Sequence, residues 1–493
     1  MKGTSGVFGL NYTSLIWCLG FILIAANGSY WVSVDSDLVL HILYGRNMIS
    51  EGILSSDPLL SGITDPPVLQ EWLFEISLAV LERVFGLAGP VILFAVLLGS
   101  LMASLYRRMR VQGVCFWIAL LYAIFIMVAL RLHLIIRPHM LSWAAISYLV
   151  VLLENWHSGR VSFLRTTLAG SVLMLFWSNM HGGFLLGLVL TAIFAVDRLC
   201  IALSGRDRGN LWQAIALLII FGLVTLANPW GWNLHSHLVA FLSNDFLIAT
   251  TLDFQPPRLA NGSLPVLVIT SIAVIVPMLL QWRHVALKDW LMLLTLFYIA
   301  VTSVRNIPFF GLIMLPIAAL YLERWLVASG AAPAKLILAS SSRMEEDEGS
   351  GSGVGWPVLF LTSMIFFFAA GILRVELGSR QVPREALEWM SNNPAVHGQT
   401  IFADYLFAGY FLFATPIRQV YLHALNANYP DSRVRNYLNV ESSEPGWEEI
   451  LSPFEWAAVA AAGGQQNTFA MSSCWEEVYR DEKTAIYHRM CVE

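Results

Sequence analysis

The chain has 493 residues, of which 57% are hydrophobic and 13% are charged, about half the charged fraction of soluble domains. Its formal net charge is −5, with five cysteines and no basic block. This composition excludes a soluble enzyme, a disordered protein, a disulfide-stapled scaffold and a nucleic-acid-binding protein, and it predicts an α-helical polytopic membrane protein.

Long apolar runs recur along the chain, each suited to a hydrocarbon core of ~30 Å. They predict about eleven spans, at 14–32, 90–106, 114–131, 139–154, 166–180, 184–203, 211–228, 264–281, 289–304, 307–322 and 356–374. Basic residues follow the even-numbered spans, namely Arg107, Arg108, Arg110, Arg160, Arg165, Arg206, Arg208, Arg283 and Lys288. Because cytoplasmic loops are enriched in Lys and Arg, we expect a cytoplasmic N-terminus and an external C-terminus.

The segment 34–90 is predicted to be a large first outer loop. Residues 71–86 are apolar but short, and they carry Glu71, Glu75, Glu82 and Arg83. Counting this stretch as a span would move Arg107 to the outer side. We therefore expect an amphipathic helix at the membrane surface here, and a second one at 38–50.

The remaining chain is expected to form a linker, a last span and a soluble domain. Residues 1–327 form the transmembrane body with its outer loop 34–90. Residues 328–355 are rich in Ser and Gly and predict a flexible cytoplasmic linker. After the span 356–374, the region 375–493 carries 15 acidic and 8 basic side chains. A helix at 383–391, strands at 400–413 and 419–422, and a hairpin of 475–481 with 484–490 predict a small extracytoplasmic α/β domain.

The cysteines fall into two groups. Cys18, Cys115 and Cys200 lie in apolar spans, where packing is the expected role. Cys474 and Cys491 flank the predicted hairpin, and a turn at 482–483 would place them opposite each other, within disulfide range. The sequence leaves open a disulfide, which an external compartment permits, or two free thiols.

Ionisable and polar residues gather at the predicted outer ends of the spans, where a membrane protein tolerates them at functional sites. They are Asp35, Asp37, His41, Asp57, Asp65, Glu71, Arg131, His133, Arg137, His139, His181, Asn228, Trp230, His235, His237, Asp253, Arg305 and Asn306. The cytoplasmic ends carry mainly the basic residues that set orientation. A functional site on the outer face is therefore expected.

These residue types suit one kind of chemistry. A surface carboxylate can act as a general base towards an acceptor hydroxyl, and Arg131, Arg137 and Arg305 suit a phosphate leaving group. Together they indicate transfer from a phospholipid-like donor. The Asp35-x-Asp37 pair could also hold a divalent metal such as Mg²⁺ or Mn²⁺, and no other cofactor is indicated. The alternatives are ordinary: solvated aspartates, and a snorkelling anchor at Arg305.

Several motifs occur together in a characteristic order. They are Asp35-Ser-Asp37 with His41 and Gly45-Arg46, Asp57-Pro58, Glu71-Trp72-Leu73, Arg137-Pro138-His139, His181-Gly182-Gly183-Phe184, Asn228-Pro229-Trp230-Gly231-Trp232, Arg305-Asn306-Ile307-Pro308, Gly409-Tyr410, Trp447 and the Trp475–Tyr479 stretch. In this order the sequence resembles the bacterial GT-C-fold glycosyltransferases, of the dolichyl-phosphate-mannose-mannosyltransferase-like superfamily.

The resemblance implies an inverting transfer of sugar from a polyprenyl-phosphate donor, on the outer face of the inner membrane, to an acceptor glycan, lipid or protein. It implies Asp35 as the catalytic base, with Asp37 as second candidate. The implied substrate-binding residues are His41, Asp57, Glu71, Arg131, Arg137, His139, His181, Arg305 and Asn306.

The tail departs from the family pattern at 421–426, where Tyr421-Leu-His423-Ala-Leu-Asn426 replaces an acidic, Arg-containing phrase. The alternative function is therefore a non-catalytic subunit of a membrane complex that binds lipid or a partner. A transporter would require two corresponding halves with interrupted spans, and the sequence shows no such halves.

Overall fold

The structure is a computed structural model that describes residues 7–9, 11–205, 211–348, 352–378, 381–425 and 430–491. Their contacts define two compact units. The helical unit comprises Met1–Ala26, Ile92–Leu134 and Pro138–Ile372, and the α/β unit comprises Asn27–Val91, Ile135–Arg137 and Leu373–Glu493. The sequence assigned the loop 34–90 to the transmembrane body, whereas the structure groups this loop with the C-terminal region.

Helices account for most of the described chain. The first eleven are α1 (Tyr12–Ala25), α2 (Gly28–Ser33), α3 (Asp37–Glu51), α4 (Trp72–Phe85), α5 (Ala88–Val111), α6 (Phe116–Leu130), α7 (His139–His157), α8 (Phe163–Met180), α9 (Phe184–Leu203), α10 (Leu211–Val224) and α11 (Trp232–Leu242). The others are α12 (Asp245–Thr250), α13 (Ser263–Leu280), α14 (Leu287–Thr302), α15 (Ile307–Ser329), α16 (Ala332–Asp347), α17 (Gly355–Ala369), α18 (Arg384–Asn392), α19 (Ala408–Ala414), α20 (Asp431–Glu441), α21 (Trp447–Leu451) and α22 (Gly464–Met471).

Every predicted span coincides with helical structure. In the described ranges, five helical stretches have the length and apolar composition to cross a membrane, namely Ala88–Val111, Phe116–His133, Phe184–Leu203, Ser263–Leu280 and Val304–Ser329. Shorter apolar helices are Tyr12–Ala25, Leu211–Val224 and Gly355–Ala369. The number of eleven spans stays a prediction. The first predicted span, 14–32, consists of two helices, because α1 ends at Ala25 and α2 begins at Gly28.

The predicted linker 328–355 is not an unstructured segment. Helix α15 extends to Ser329, and α16 occupies Ala332–Asp347 with a proline at its start, where proline is well tolerated. The Glu345 carboxylate lies 2.7 Å from Arg110, and the buried Ser341 hydroxyl accepts a hydrogen bond from the Trp117 amide at 3.4 Å. Side-chain contacts with the helical unit thus hold a segment whose composition indicated flexibility.

The two helices expected at the membrane surface are present as α3 and α4. Helix α3 is largely buried, however, including Leu38, Val39 and Leu40, which point in different directions around it. Gly45 contacts α4 so closely that an added Cβ would lie 2.0 Å from the Glu75 carbonyl oxygen. Helix α3 therefore belongs to the core of the α/β unit, and the position of 38–50 at the membrane surface stays a prediction.

The C-terminal region is an α/β domain, as predicted. Its described strands are β1 (Thr400–Ala403), β2 (Gln419–Val420), β3 (Trp456–Ala460), β4 (Trp475–Arg480) and β5 (Thr484–Arg489). The sheet order is β2-β1-β3-β5-β4, with β1 parallel to both neighbours and β5 antiparallel to both of its own. Strand β3 has no counterpart among the elements predicted from the sequence.

The strand predicted at 400–413 is wrong beyond Ala403. Its second half is helix α19, whose Gly409 packs against the start of α3. A Cβ at Gly409 would lie 2.7 Å from the Ser36 carbonyl oxygen. The apolar run 408–412 thus forms a helix that packs closely against this segment, and it does not continue strand β1. Buried helical and buried strand segments of this length have the same apolar sequence pattern.

The terminal hairpin is confirmed, and of the two alternatives for its cysteines the structure contains the disulfide. Strand β4 pairs with β5 around the predicted turn, and Cys474 is bonded to Cys491 with a Cα–Cα distance of 5.0 Å. The predicted register holds next to the turn, where Arg480 is opposite Ala485. A bulge between Glu477 and Tyr479 then shifts the pairing by one residue. The two cysteines are therefore bonded across a shifted register rather than directly opposite each other.

The first loop extends the C-terminal sheet. Leu60 forms a parallel bridge with Val420 of β2. The Val420 amide donates to the Leu59 carbonyl oxygen, and the Ser61 amide donates to the Val420 carbonyl oxygen, both at 3.0 Å. Two segments that are more than 350 residues apart in sequence thus form one sheet edge, which explains why they belong to one unit.

Candidate functional site

Asp35 and Asp37 lie where α2 gives way to α3, and one arginine bridges them. Asp37 is the first residue of α3, where the helix dipole favours a carboxylate. The Arg137 Nη2 atom lies 2.8 Å from Asp37 Oδ2, and Arg137 Nε donates to Asp35 Oδ2. The Asp37 amide donates to Asp35 Oδ1 at 3.2 Å. The two aspartate side chains are therefore held together by one planar guanidinium.

The exposure of the two aspartates differs. The Asp35 side chain is 18% exposed and the Asp37 side chain is 6% exposed. Arg137, which the sequence analysis assigned to phosphate binding, is 28% exposed and forms ion pairs with both carboxylates. Of the two aspartates, Asp35 offers the more accessible oxygen atoms to a second molecule.

The Asp35–Asp37 pair does not fit a metal ion in this arrangement. A divalent cation shared by the two carboxylates would have to displace the guanidinium that already bridges them. The positive charge that two adjacent carboxylates require is thus supplied by the chain itself, through Arg137. We therefore assign no catalytic step to a metal at this pair.

A second polar cluster lies between α3 and α4, one helical turn after Asp37. The His41 Nδ1 atom is 3.1 Å from Glu75 Oε1, and His41 Nε2 is 3.6 Å from Glu71 Oε2. His41 and Glu75 are buried, whereas Glu71 is partly exposed. Burial, together with the nearby charge of Asp57, raises the pKa of the Glu75 carboxyl to about 8. The structure thus brings together His41 and Glu71 of the predicted site and adds Glu75.

Asp57 belongs to a buried hydrogen-bond chain. The Tyr44 hydroxyl donates to Asp57 Oδ2 at 2.7 Å, and the Leu59 and Leu60 amides donate to Asp57 Oδ1 at 2.9 and 3.1 Å. His423 Nε2 lies 3.0 Å from the Tyr44 hydroxyl. Because the tyrosine proton is directed at Asp57, His423 is the donor in that second bond. Asp57 therefore orders the loop and contacts Tyr44, an interaction that neither residue's sequence neighbourhood indicated.

Burial changes the protonation of this chain. It raises the pKa of the Asp57 carboxyl, although the bonds from Tyr44, Leu59 and Leu60 act in the opposite direction. Burial lowers the pKa of the His423 imidazole to about 3. His423 is therefore neutral at physiological pH. The unusual phrase at 421–426 thus contains a buried structural histidine, while Asn426 lies outside the described residues.

The predicted cationic residues of the helical unit lie in adjacent turns. The Arg131–His133 turn follows α6, and the Val304–Asn306 turn precedes α15, with Cα atoms of the two turns within 8 Å of one another. Arg131 is exposed. The Arg305 guanidinium stacks 4.5 Å from the Phe254 ring centroid, and Asn306 donates to the Ile299 carbonyl oxygen at 3.1 Å. Arg131 and Arg305 thus form one basic end of the helical unit.

The two predicted histidines of the helical unit support turns. His139 Nε2 lies 2.8 Å from the His133 carbonyl oxygen. The Nδ1 atom of His181 accepts hydrogen bonds from the Ser142 hydroxyl at 2.7 Å and the Gly183 amide at 3.0 Å. A backbone amide can only donate, so the ring proton of neutral His181 lies on Nε2. This arrangement accounts for the His-Gly-Gly motif as a packed turn between α8 and α9.

The other polar residues singled out from the sequence have local roles. Asn228 caps the turn before α11 by accepting from the Trp230 amide at 2.9 Å. His235 Nε2 lies 2.9 Å from the Thr225 hydroxyl. The orientation residues Arg206 and Arg208 lie outside the described residues. Tyr410, which the resemblance noted only as part of a tail motif, donates to the Ser33 carbonyl oxygen at 2.8 Å just before Asp35.

Comparisons with known proteins show that this chain is similar in fold to solved structures. No family model matches the chain, and no curated protein matches it in sequence. The oligosaccharyltransferase of Archaeoglobus fulgidus in its apo form is similar with a TM-score of 0.53 at 12% identity, over 91% of this chain and 69% of that one. The same enzyme tethered to an acceptor peptide gives 0.53 at 10% identity, with the same coverage.

A second similar structure is ArnT from Cupriavidus metallidurans bound to undecaprenyl phosphate. Its TM-score is 0.52 at 14% identity, over 96% of this chain and 97% of that one. These likenesses, with the apolar helices and the small C-terminal sheet, confirm the predicted fold class. The chain has the GT-C fold of polytopic membrane glycosyltransferases.

Proposed function

We propose that this protein is a membrane glycosyltransferase that moves a sugar from a polyprenyl-phosphate donor to an acceptor hydroxyl, with Asp35 as the general base. The observation that carries the proposal is the bridge from Arg137 to Asp35 and Asp37 at the start of α3, which holds a partly exposed carboxylate in a fixed orientation. The similar structures support this choice of substrates, because one is bound to undecaprenyl phosphate and another to an acceptor peptide.

The proposed reaction is a single inverting displacement. A carboxylate oxygen of Asp35 accepts the proton of the acceptor hydroxyl as that oxygen attacks the anomeric carbon. The bond from the anomeric carbon to the phosphate oxygen breaks on the opposite face, and polyprenyl phosphate leaves with the bonding electrons. Arg131 and Arg305 of the helical unit stay proposed phosphate-binding residues, since guanidinium groups match phosphate oxygens. Arg137 acts as a positioning residue for Asp35.

The proposed location is the inner membrane, with a cytoplasmic N-terminus and the reaction on the outer face. The bond between Cys474 and Cys491 supports this orientation, because disulfides persist in oxidising compartments. His41, Asp57, Glu71, His139, His181 and Asn306 stay proposed contributors to substrate binding. Their observed hydrogen bonds also account for them as structural residues.

The experiment is sugar transfer by the purified full chain with a labelled polyprenyl-phosphate sugar. Asp35→Asn should abolish transfer, because the amide cannot accept the acceptor proton, and general-base catalysis contributes about 10²–10⁴-fold. Asp65→Asn makes the same chemical change at an exposed position of the same loop, and it should leave transfer unchanged. Full activity of the Asp35→Asn variant would contradict the assignment of the base.

A second candidate function is a non-catalytic subunit with this fold. The observation that favours it is that Arg137 already pairs with both carboxylates, which is also the arrangement of a purely structural ion pair. In that case the wild-type protein would bind polyprenyl phosphate or copurify with a stable assembly, yet transfer no sugar from any lipid-linked donor. Mass spectrometry of copurified lipids together with the transfer assay separates the two functions.

A further inference from the structure

The cluster between α3 and α4 takes no part in the proton transfer or bond breaking of the proposed reaction, although His41 and Glu71 stay proposed contributors to substrate binding. It consists of one imidazole and two carboxylates from His41, Glu71 and Glu75, whose candidate ligand atoms lie within 4.8 Å of one another. His41 is 2% exposed, and the side chains of Glu71 and Glu75 are 15% and 3% exposed. A histidine and two glutamates this deeply placed require a compensating interaction, because buried carboxylates are costly without one.

The two contacts of His41 are chemically different. The Nδ1 atom is 3.1 Å from Glu75 Oε1, a hydrogen-bond distance, and in the tautomer that suits a metal ligand the imidazole donates its Nδ1 proton to an ionised Glu75. This leaves a lone pair on Nε2, which lies 3.6 Å from Glu71 Oε2. Two lone pairs that face each other repel unless a positive group lies between them. Histidines that bind metals commonly donate their other ring N–H to a carboxylate in this way.

The 3.6 Å separation fits two ligands of one ion. Tetrahedral metal sites have N and O ligands at about 2.0–2.2 Å from the ion, which places two ligand atoms about 3.3–3.6 Å apart. A second observation concerns the carboxylate on the other side of the imidazole. The Glu75 Oε2 atom is buried and has no hydrogen-bond partner within the ranges that the structure describes. The cluster thus contains an unpaired carboxylate oxygen as well as two suitably spaced ligand atoms.

We propose that His41 and Glu71 bind a divalent transition-metal ion at the Nε2 side of the imidazole, with Glu75 orienting His41 from its Nδ1 side. One imidazole nitrogen with carboxylate oxygens suits Zn²⁺ or Mn²⁺ better than Mg²⁺, which prefers oxygen ligands alone. The ion links α3 to α4, and it lies one helical turn from Asp37. This metal site is distinct from the Asp35–Asp37 pair, and its existence does not depend on the proposed sugar transfer.

The test is the metal content of the full chain, purified in detergent without chelator. We expect about one transition-metal ion per chain. After the protein has been stripped with chelator, added Zn²⁺ or Mn²⁺ alone should raise the thermal midpoint, whereas Mg²⁺ should have little effect. Glu71→Gln keeps the shape of a partly exposed side chain and should weaken binding at least tenfold. His41→Asn should abolish binding, and Glu75→Gln should weaken it about 10–100-fold.

The matched control is Glu82→Gln, the same substitution on the same helix, at a residue that pairs with Arg46 at 2.9 Å. It should retain the wild-type metal content, and so should Asp35→Asn. A wild-type chain that neither contains nor binds a transition metal would overturn the proposal, and a proton shared by the cluster would then account for its geometry. Unchanged metal binding in folded Glu71→Gln would also overturn it. Metal content is measured without catalytic turnover, so the metal-binding result can be interpreted even if the proposed sugar transfer is not observed.

Discussion

Replacing Arg137 by methionine tests the geometry around Asp35 most directly. The substitution leaves the Asp37 carboxylate, which is 6% exposed, without the guanidinium 2.8 Å away. Breaking a buried ion pair costs about 3–5 kcal/mol. Because Arg137 itself is 28% exposed, water screens part of this loss, and we expect roughly 2–3 kcal/mol. For a unit of this size that lowers the thermal midpoint by roughly 4–12 °C.

A double-mutant cycle isolates the contribution of this contact. In an Asp37→Asn background the Arg137→Met change should cost at least about 1 kcal/mol less than in the wild-type chain, because the stranded charge is gone. Arg131→Met is the control, since it removes an exposed arginine and should shift stability by no more than about 0.5 kcal/mol. Thermal unfolding in detergent, followed by tryptophan fluorescence, measures every variant of the cycle and the control. Additive effects of Arg137→Met and Asp37→Asn would refute the ion-pair reasoning.

Three further predictions concern the α/β unit. The pKa of His423 is about 3 in the folded chain against an ordinary 6.5. As the pH falls below 6.5, His423 therefore becomes protonated in the unfolded chain before it does so in the folded chain. Stability should fall by about 1.4 kcal/mol per pH unit below pH 6.5, and His423→Gln should flatten this slope in thermal melts. Gly45→Ala would place a Cβ 2.0 Å from a carbonyl oxygen of α4; it should destabilise by roughly 3 kcal/mol or more, measured by the same melts. Replacing Cys474 and Cys491 by serine opens a link with a sequence separation of 17 and should cost about 3 kcal/mol, whereas thiol alkylation of these two residues in the unreduced wild-type chain would contradict the disulfide.

The helical elements could be predicted from the sequence because apolar runs of this length rarely occur outside membrane-spanning or deeply buried helices. Each predicted span coincides with helical structure, and the assignment of 71–86 to a surface helix stays a prediction. The hairpin was predictable for a similar reason, since its alternating pattern and turn are local. The bulge between Glu477 and Tyr479 was not predictable, because an inserted residue leaves the alternation on each side intact.

The interactions that define the candidate site are long-range, and no local pattern indicates them. The bond between Tyr44 and His423 joins residues 379 positions apart. Asp35 and Asp37 were predictable as a charged pair before a helix, yet their partner Arg137 was assigned to phosphate because isolated arginines suit anions. A nearby pair of carboxylates changes that assignment, and only the fold brings the arginine and the carboxylates together.

At the predicted cytoplasmic ends of the helices, too, the sequence did not indicate which side chains pair with each other. The sequence analysis used Lys288 and Arg108 only as orientation signals. In the structure, Arg108 pairs with Glu154 at 2.7 Å, His157 pairs with Asp197 at 2.7 Å, and the Lys288 amide donates to Asp197 at 3.1 Å. Residues near these helix ends thus join four helices through partly buried side-chain pairs and a backbone hydrogen bond.

The grouping of the first loop with the C-terminal region changes how tail variants should be interpreted. Tyr410 donates to the Ser33 carbonyl oxygen at 2.8 Å, His423 donates to Tyr44 at 3.0 Å, and Val420 pairs with the loop backbone. These contacts hold the segments on both sides of Asp35. Loss of activity after a change in the tail would therefore not show that the tail has a chemical role, because the same change disturbs the segments that support the proposed base. Only a tail variant that keeps the stability of the α/β unit and still loses transfer would indicate a chemical role.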